Sequence, residues 1–220
     1  MINKNFTKRE KIFIVLAGIF VANAIIGELI GGKLISIGPF TMSIGVIPWP
    51  LVFLTTDLIN EYFGREGVRR LTFLTAILIV YTFIILFAAM NVDAAGFSPV
   101  NDSQFNAVFG QSMWIIAGSI AAFLASQLID VIVFWFFRNK TKGRMLWLRA
   151  TGSTAVSQLI DSFVIIFIAF FLSGSLSIGE FLVLASTNYI YKLVIAIALT
   201  PLIYLGHNII HRYLGEEAGS

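Results

Sequence analysis

Six apolar stretches, each close to the length that crosses a lipid bilayer and each bounded by charges or by Gly/Pro-rich turns, constrain this chain more than any other feature. A spanning helix takes about 20 largely apolar residues. Reading the runs against their flanks gives spans near 11–31, 46–63, 69–90, 113–137, 152–173 and 180–206. They fill most of the 220 residues, so 1–220 reads as a single transmembrane domain. The expected class is an all-α polytopic membrane protein with six transmembrane helices. Composition agrees, because 58% hydrophobic and only 12% charged residues cannot cover a water-facing surface.

An even number of spans puts both termini on one side. Lys4, Lys8, Arg9 and Lys11 precede the first span; Arg65, Arg69 and Arg70 follow the second; Arg138, Lys140, Lys142, Arg144 and Arg149 follow the fourth; Arg212 follows the last. In an alternating six-span arrangement these thirteen share one face, and Lys33 alone stands opposite. Basic loops stay inside, so both termini are expected to be cytoplasmic. The net charge of +3 is thus accounted for by topology, and no nucleic-acid partner is implied. The basic amino-terminal residues ahead of Ile12–Ile30 resemble a signal peptide, but the apolar run lacks a convincing cleavage site and reads as a retained first helix.

The connections have texture of their own. The stretch 34–44 alternates moderately about Gly38-Pro39, which suggests a short hairpin over 33–45 at or slightly within the membrane surface. The 91–112 connection, with Phe97, Phe105 and Phe109, reads as a loop whose aromatics sit at headgroup level. Pro48 and Pro50 mark a helix start, and Gly27 and Gly31 suit close helix packing.

Ionisable groups inside spans are the informative residues, since each costs at least about 2.5–3.5 kcal/mol unless paired or hydrated. The sequence has Glu28, Asp57, Glu61, Asp130, Asp161 and Lys192 in such places. Asp57, Asn60 and Glu61 are spaced to share one helix face. The pentapeptide Ser-Gln-Leu-Ile-Asp occurs at 126–130 and again at 157–161, placing Gln127 with Asp130 and Gln158 with Asp161 on matching faces of consecutive antiparallel spans. Asn188 and Lys192 add an i, i+4 pair in the last span. Part of this set could simply bond helix to helix. Five acids against one lysine exceed what such bonding needs, and a central pocket rich in hydrogen-bond acceptors would suit a small ligand rich in N–H donors. The candidate substrate-binding residues are therefore Asp57, Asn60, Glu61, Gln127, Asp130, Gln158, Asp161, Asn188 and Lys192.

Other chemistries find little support. The absence of cysteine excludes disulfides, thiol nucleophiles and cysteine metal sites. His207 and His211 have i, i+4 spacing but lack the Glu beside the first His that a zincin helix carries, so no metal is expected. No phosphate-binding loop and no serine-nucleophile elbow occurs. The chain reads as a carrier, not an enzyme, and no cofactor is expected.

The run Pro50-Leu51-Val52-Phe53-Leu54-Thr55-Thr56-Asp57-Leu58-Ile59-Asn60-Glu61-Tyr62-Phe63-Gly64, followed by Arg69-Arg70, resembles the signature of the queuosine precursor transporters, a family also known as vitamin uptake transporters. The likeness continues through 157–162, 186–192 and 200–204. The resemblance implies a multi-pass protein of the bacterial inner membrane that imports 7-cyano- or 7-aminomethyl-7-deazaguanine, or queuine, for tRNA modification. It points to Asp57, Asn60, Glu61, Gln158, Asp161, Asn188 and Lys192. By analogy with guanine recognition, Asp161 or Asp57 would accept from the ring's amidine edge while Trp49, Tyr189 or Tyr191 stacks on it. The expected partners are the deazaguanine and the lipid bilayer, and a homo-oligomer is compatible with such a chain. Two other classes stay open: a vitamin-binding membrane subunit served by a separate ATP-driven module, and an intramembrane enzyme using paired aspartates.

Overall fold

The computed structural model describes residues 6–215 apart from 32, 38, 39, 111, 112, 143, 173 and 175. It is an all-α bundle with one small hairpin: α1 (Lys8–Ile30), β1 (Leu34–Ile37), β2 (Phe40–Ser43), α2 (Trp49–Met90), α3 (Asp102–Phe109), α4 (Met113–Lys140), α5 (Leu146–Ile166) and α6 (Ile178–Leu214). Five of these helices, α1, α2, α4, α5 and α6, are long and apolar enough to cross a membrane.

Helix starts follow local chemistry. Thr7 and Glu10 form a reciprocal capping box that opens α1, and Ser177 with Glu180 does the same for α6. In both, the capping residue is extended and its hydroxyl accepts an amide that has no partner within the helix. α2 starts between Pro48 and Pro50, where missing amide donors are tolerated. β1 and β2 pair antiparallel from Leu34 opposite Ser43 to Ile37 opposite Phe40, so the expected hairpin is present. Its Gly38-Pro39 turn lies outside the described residues.

Two connections differ from the sequence reading. Residues 64–70 do not form a loop: α2 is helical on both sides of Gly64, which alone leaves the helix at φ 74°, ψ −179°. At Gly64 the chain folds back, since a Cβ on Gly67 would lie 3.7 Å from Ile59 Cγ2, whereas residues eight apart in a straight helix are separated by about 12 Å. Arg65, Glu66, Arg69 and Arg70, which signalled a loop by their charge, are exposed helix residues. The 91–112 connection contains a helix where a loop was expected. Asn101 and Gln104 cap it reciprocally, and Phe105 stacks near Phe109 one turn on, centroids 4.8 Å apart.

Polarity is distributed inside out. Large apolar side chains line the outer faces, with Ile77 64% and Val183 69% exposed, while Asn60, Gln127 and Asp130 are fully buried. A bundle with this pattern is suited to lipid outside and polar bonds inside. Leu16, Phe20 and Ala24 of α1 belong to one apolar cluster with Val52 and Ile59 from one arm of α2 and Leu71 and Ile79 from the other. α4 and α5 cross closely: a Cβ on Gly118 would meet the Ala169 amide nitrogen at 3.2 Å, just where α5 gives way to a π-helical segment, Phe167–Phe171.

Candidate functional site

The polar residues of the spans fall into three groups. The first surrounds a narrow cleft among α2, α5 and α6, about 30 Å³ in volume and lined by Trp49, Asp57, Thr154, Gln158, Tyr191 and Lys192 among others. Lys192 crosses from α6 to bond the Asp161 carboxylate on α5, and Asp161 is itself buried. Among the described residues Asp57 Oδ1 and Gln158 Oε1 are buried with no hydrogen-bond partner, as are both amide atoms of Asn60. Such groups destabilise a fold by roughly 1–3 kcal/mol each unless something bonds them. The cleft thus presents the Asp57 carboxylate and the Gln158 amide beside one ammonium already shared with Asp161, with Trp49 and Tyr191 on its walls; Asp161 and Asn60 themselves lie outside its lining.

The second group bonds helix to helix. Thr56 Oγ1 donates to Gln127 Oε1 at 3.1 Å, tying α2 to α4, and Ser157 Oγ donates to Asp130 Oδ1 at 3.0 Å, tying α5 to α4. The repeated pentapeptide therefore meets itself: the serine of the second copy bonds the aspartate of the first. Gln127 and Asp130 do not line the cleft. Asn188 turns back to donate to Leu184 O of its own helix at 2.9 Å. Near the other end, Ser119 on α4 donates to the buried Glu28 on α1.

The third group sits where the Gly64 break meets the ends of α4 and α6 and the start of α1. Here a second cavity of about 400 Å³ is lined by Arg9, Glu61, Tyr62, Trp135, Arg138 and His207, among others. Glu61 is one turn beyond Asp57 on α2, yet it faces this cavity instead of the cleft. Its Oε1 accepts from Arg149 Nη2 at 2.6 Å, and its Oε2 lies 3.9 Å from Arg138 Nη1. Arg9 Nη2 donates to Tyr62 O at 2.6 Å, and the Tyr62 hydroxyl donates to His207 O at 3.0 Å and lies 2.9 Å from His207 Nδ1. Residues from the basic amino-terminal segment, the Gly64 break and the two basic helix ends thus converge at one end of the bundle.

Arg149 is the residue that sequence reasoning misplaced. Counted with the loop charges after the fourth span, it is instead in the first turn of α5 and only 3% exposed, because α5 starts at Leu146 instead of 152. Thr151, Thr154 and Gln158 recur at helical spacing from that earlier start, which was the available signal. Thr56 and Ser119, the hydroxyl partners of Gln127 and Glu28, carried no sequence signal beyond their polarity.

Comparison with known proteins places this geometry in context. A family model described as "Putative vitamin uptake transporter" matches residues 43–206, a range that contains all nine candidate binding residues. A "Probable queuosine precursor transporter" of Bacillus subtilis is 29% identical over 180 residues, covering 81% of this chain and 77% of that protein. A protein of the same name from Haemophilus influenzae is 31% identical over 160 residues, covering 70% and 63%. The "Queuosine precursor transporter" of Escherichia coli is 31% identical over 167 residues, covering 74% and 71%. No solved structure matches. With an inside-out bundle, a polar cleft among its helices and a family match over most of its length, the chain belongs to the vitamin uptake transporter family.

Proposed function

We propose that this protein imports queuosine precursors, the 7-cyano and 7-aminomethyl deazaguanines or queuine, across the bacterial inner membrane to supply tRNA modification. The observation that carries this reading is the cleft, where Asp57 Oδ1 and Gln158 Oε1 are buried acceptors without partners among the described residues, beside the Asp161–Lys192 pair and two aromatic walls. A 2-aminopyrimidinone ring presents adjacent N–H donors along one edge and a flat face, which is the complement of that set. The names of the three bacterial relatives supply the substrate class.

The binding set is Asp57, Asn60, Gln158 and Asp161 around the ring, with Lys192 setting the charge, Asn188 on the same face of α6, and Glu61 on the exit side; Gln127 and Asp130 hold α4 in register. At about 30 Å³ the cleft admits little more than a water-sized group, so entry of a bicyclic ring requires α6 to separate from α2 and α5. The Gly64 break divides α2 into two crossings, giving six in all with both termini cytoplasmic beside the basic helix ends. The first arm, 49–63, is short for a crossing. The hairpin before it accordingly enters the membrane surface, and the 3₁₀ turn Ile44–Val46 that joins it to α2 has Gly45 and Val46, and Pro48 after them, buried in protein, as backbone outside an α-helix or barrel must be at that depth.

Rescue tests the reading. The chain is expressed in bacteria that lack both queuosine synthesis and their own precursor uptake, nanomolar deazaguanines are supplied, and queuosine in tRNA is assayed by boronate gel shift. Restored modification is expected; its absence despite membrane expression would remove the substrate assignment.

A further inference from the structure

We propose that the 400 Å³ cavity at the basic end of the bundle is a second binding site for the transported heterocycle, occupied as the ring leaves the cleft. The inference rests on the transport reading above. Its volume falls in the range of small-molecule sites, whereas the cleft is more than ten times smaller in this conformation. Two residues of its lining each carry a buried polar atom that has no hydrogen-bond partner among the described residues: Glu61 Oε2, an acceptor, and Trp135 Nε1, a donor. A cyclic lactam, with its ring N–H next to its carbonyl, offers one partner to each. Phosphate or another anion would be met by Arg9 and Arg138 as well as Trp135, but when fully ionised would offer Glu61 Oε2 no donor, so inorganic phosphate is the competitor the test must include.

The neighbouring groups are arranged to hold that geometry. Arg149 occupies Glu61 Oε1 at 2.6 Å, while Oε2 has only the longer ion pair to Arg138 at 3.9 Å and keeps its capacity to accept a hydrogen bond. The Arg138 guanidinium lies over the Trp135 ring, 4.7 Å from its centroid, and fixes the indole. Tyr62 is anchored to His207, so its ring is a fixed wall instead of a mobile one. Because Asp57 lines the cleft and Glu61, one turn along the same helix, lines the cavity, the two sites offer a carboxylate apiece in succession.

The test is binding stoichiometry of 7-cyano-7-deazaguanine on the purified full-length protein in detergent, by equilibrium dialysis, for wild type, Trp135→Phe, Glu61→Gln and Asp161→Asn. Two equivalents per chain are expected for wild type. Trp135→Phe keeps an aromatic six-membered ring in the wall while removing the indole N–H together with its five-membered ring, and is expected to weaken one equivalent at least tenfold while sparing the other; Asp161→Asn is expected to do the reverse. Glu61→Gln should act like Trp135→Phe, and if it fails to fold, Trp135→Phe alone carries the test. One equivalent in wild type, lost in Asp161→Asn and unchanged in Trp135→Phe, overturns the second site and leaves transport standing. Two equivalents both insensitive to Trp135→Phe, or displacement of the Trp135-dependent one by millimolar inorganic phosphate, also overturn it. No binding to folded wild type removes the transport reading and this inference together.

Discussion

Arg149 Nη2 donates to Glu61 Oε1 across 2.6 Å, joining the first turn of α5 to the last turn before the break in α2. Both side chains are largely withdrawn from solvent, at 4% and 14% exposure. A charge in that setting is tolerable only with its partner in place, because desolvation of one ion alone costs several kcal/mol.

Arg149→Met is therefore expected to destabilise the folded protein by about 3–5 kcal/mol, and Glu61→Leu/Arg149→Met together by much less, since the double change removes both buried charges and leaves only the partly exposed Arg138 without its more distant carboxylate. Thermal unfolding of the purified variants in detergent checks this. Equal loss in the single and double variants would show that the pair is not the cause.

Asp161→Asn is expected to abolish uptake with membrane insertion intact. The change leaves the Lys192 ammonium facing a neutral amide and removes a carboxylate next to the cleft. Rescue of tRNA modification, read beside membrane abundance, separates the two effects. Normal uptake would take Asp161 out of the mechanism.

Thr56→Val replaces a fully buried hydroxyl that donates to Gln127 with a group of the same shape. Loss of that bond is expected to cost about 1–3 kcal/mol, because the Gln127 oxygen stays buried. Uptake should fall less than twofold, as neither residue lines the cleft. Denaturation and transport measured on the same preparation would reveal a larger role.

Gly64→Ala tests the turn. At φ 74°, ψ −179° the backbone is in a region open in practice to glycine only, while the added Cβ meets nothing nearer than Trp135 at 3.9 Å. Any loss, expected at about 1–3 kcal/mol, is then backbone strain. Unchanged thermal stability would mean that the turn tolerates another conformation.

The sequence has no cysteine, so single cysteines report topology directly. Asp93→Cys is expected to react with an impermeant maleimide in intact spheroplasts, and Arg69→Cys and Lys140→Cys only after lysis. All three positions are exposed. Protection of Asp93→Cys until lysis would mean that α2 crosses once.

What could be read in advance was local. Apolar runs announce helices because each must satisfy its own backbone in lipid, and a capping pair such as Ser177 and Glu180 fixes a helix start within a few residues. The i, i+4 spacing also set Asp57 and Glu61 on one side of α2. It could not say that the break three residues later gives them different neighbours, one the cleft and the other the wider cavity. Arg149 was hidden for the same reason: its partner is on another helix, and charge beside an apolar run looks alike whether it reaches water or Glu61. The pentapeptide repeat, whose two copies meet through Ser157 and Asp130, drew attention to α4 and α5. Only packing separated Gln158, which lines the cleft, from Gln127, which bonds Thr56.

The meeting of the two pentapeptide copies has a mechanical consequence. Ser157 bonded to Asp130, and the Gly118 backbone against Ala169 about 18 Å away along α4, fasten α4 to α5 at two separate levels, so that the two can serve together as a stator. α6 is joined to it through Asp161–Lys192 and through the paired hydroxyls of Thr151 and Thr200, 2.9 Å apart, and Pro201 interrupts its hydrogen-bond ladder beside the second of these. The rocker thus has a pivot built in next to one fastening, and its other fastening is the ion pair at the cleft.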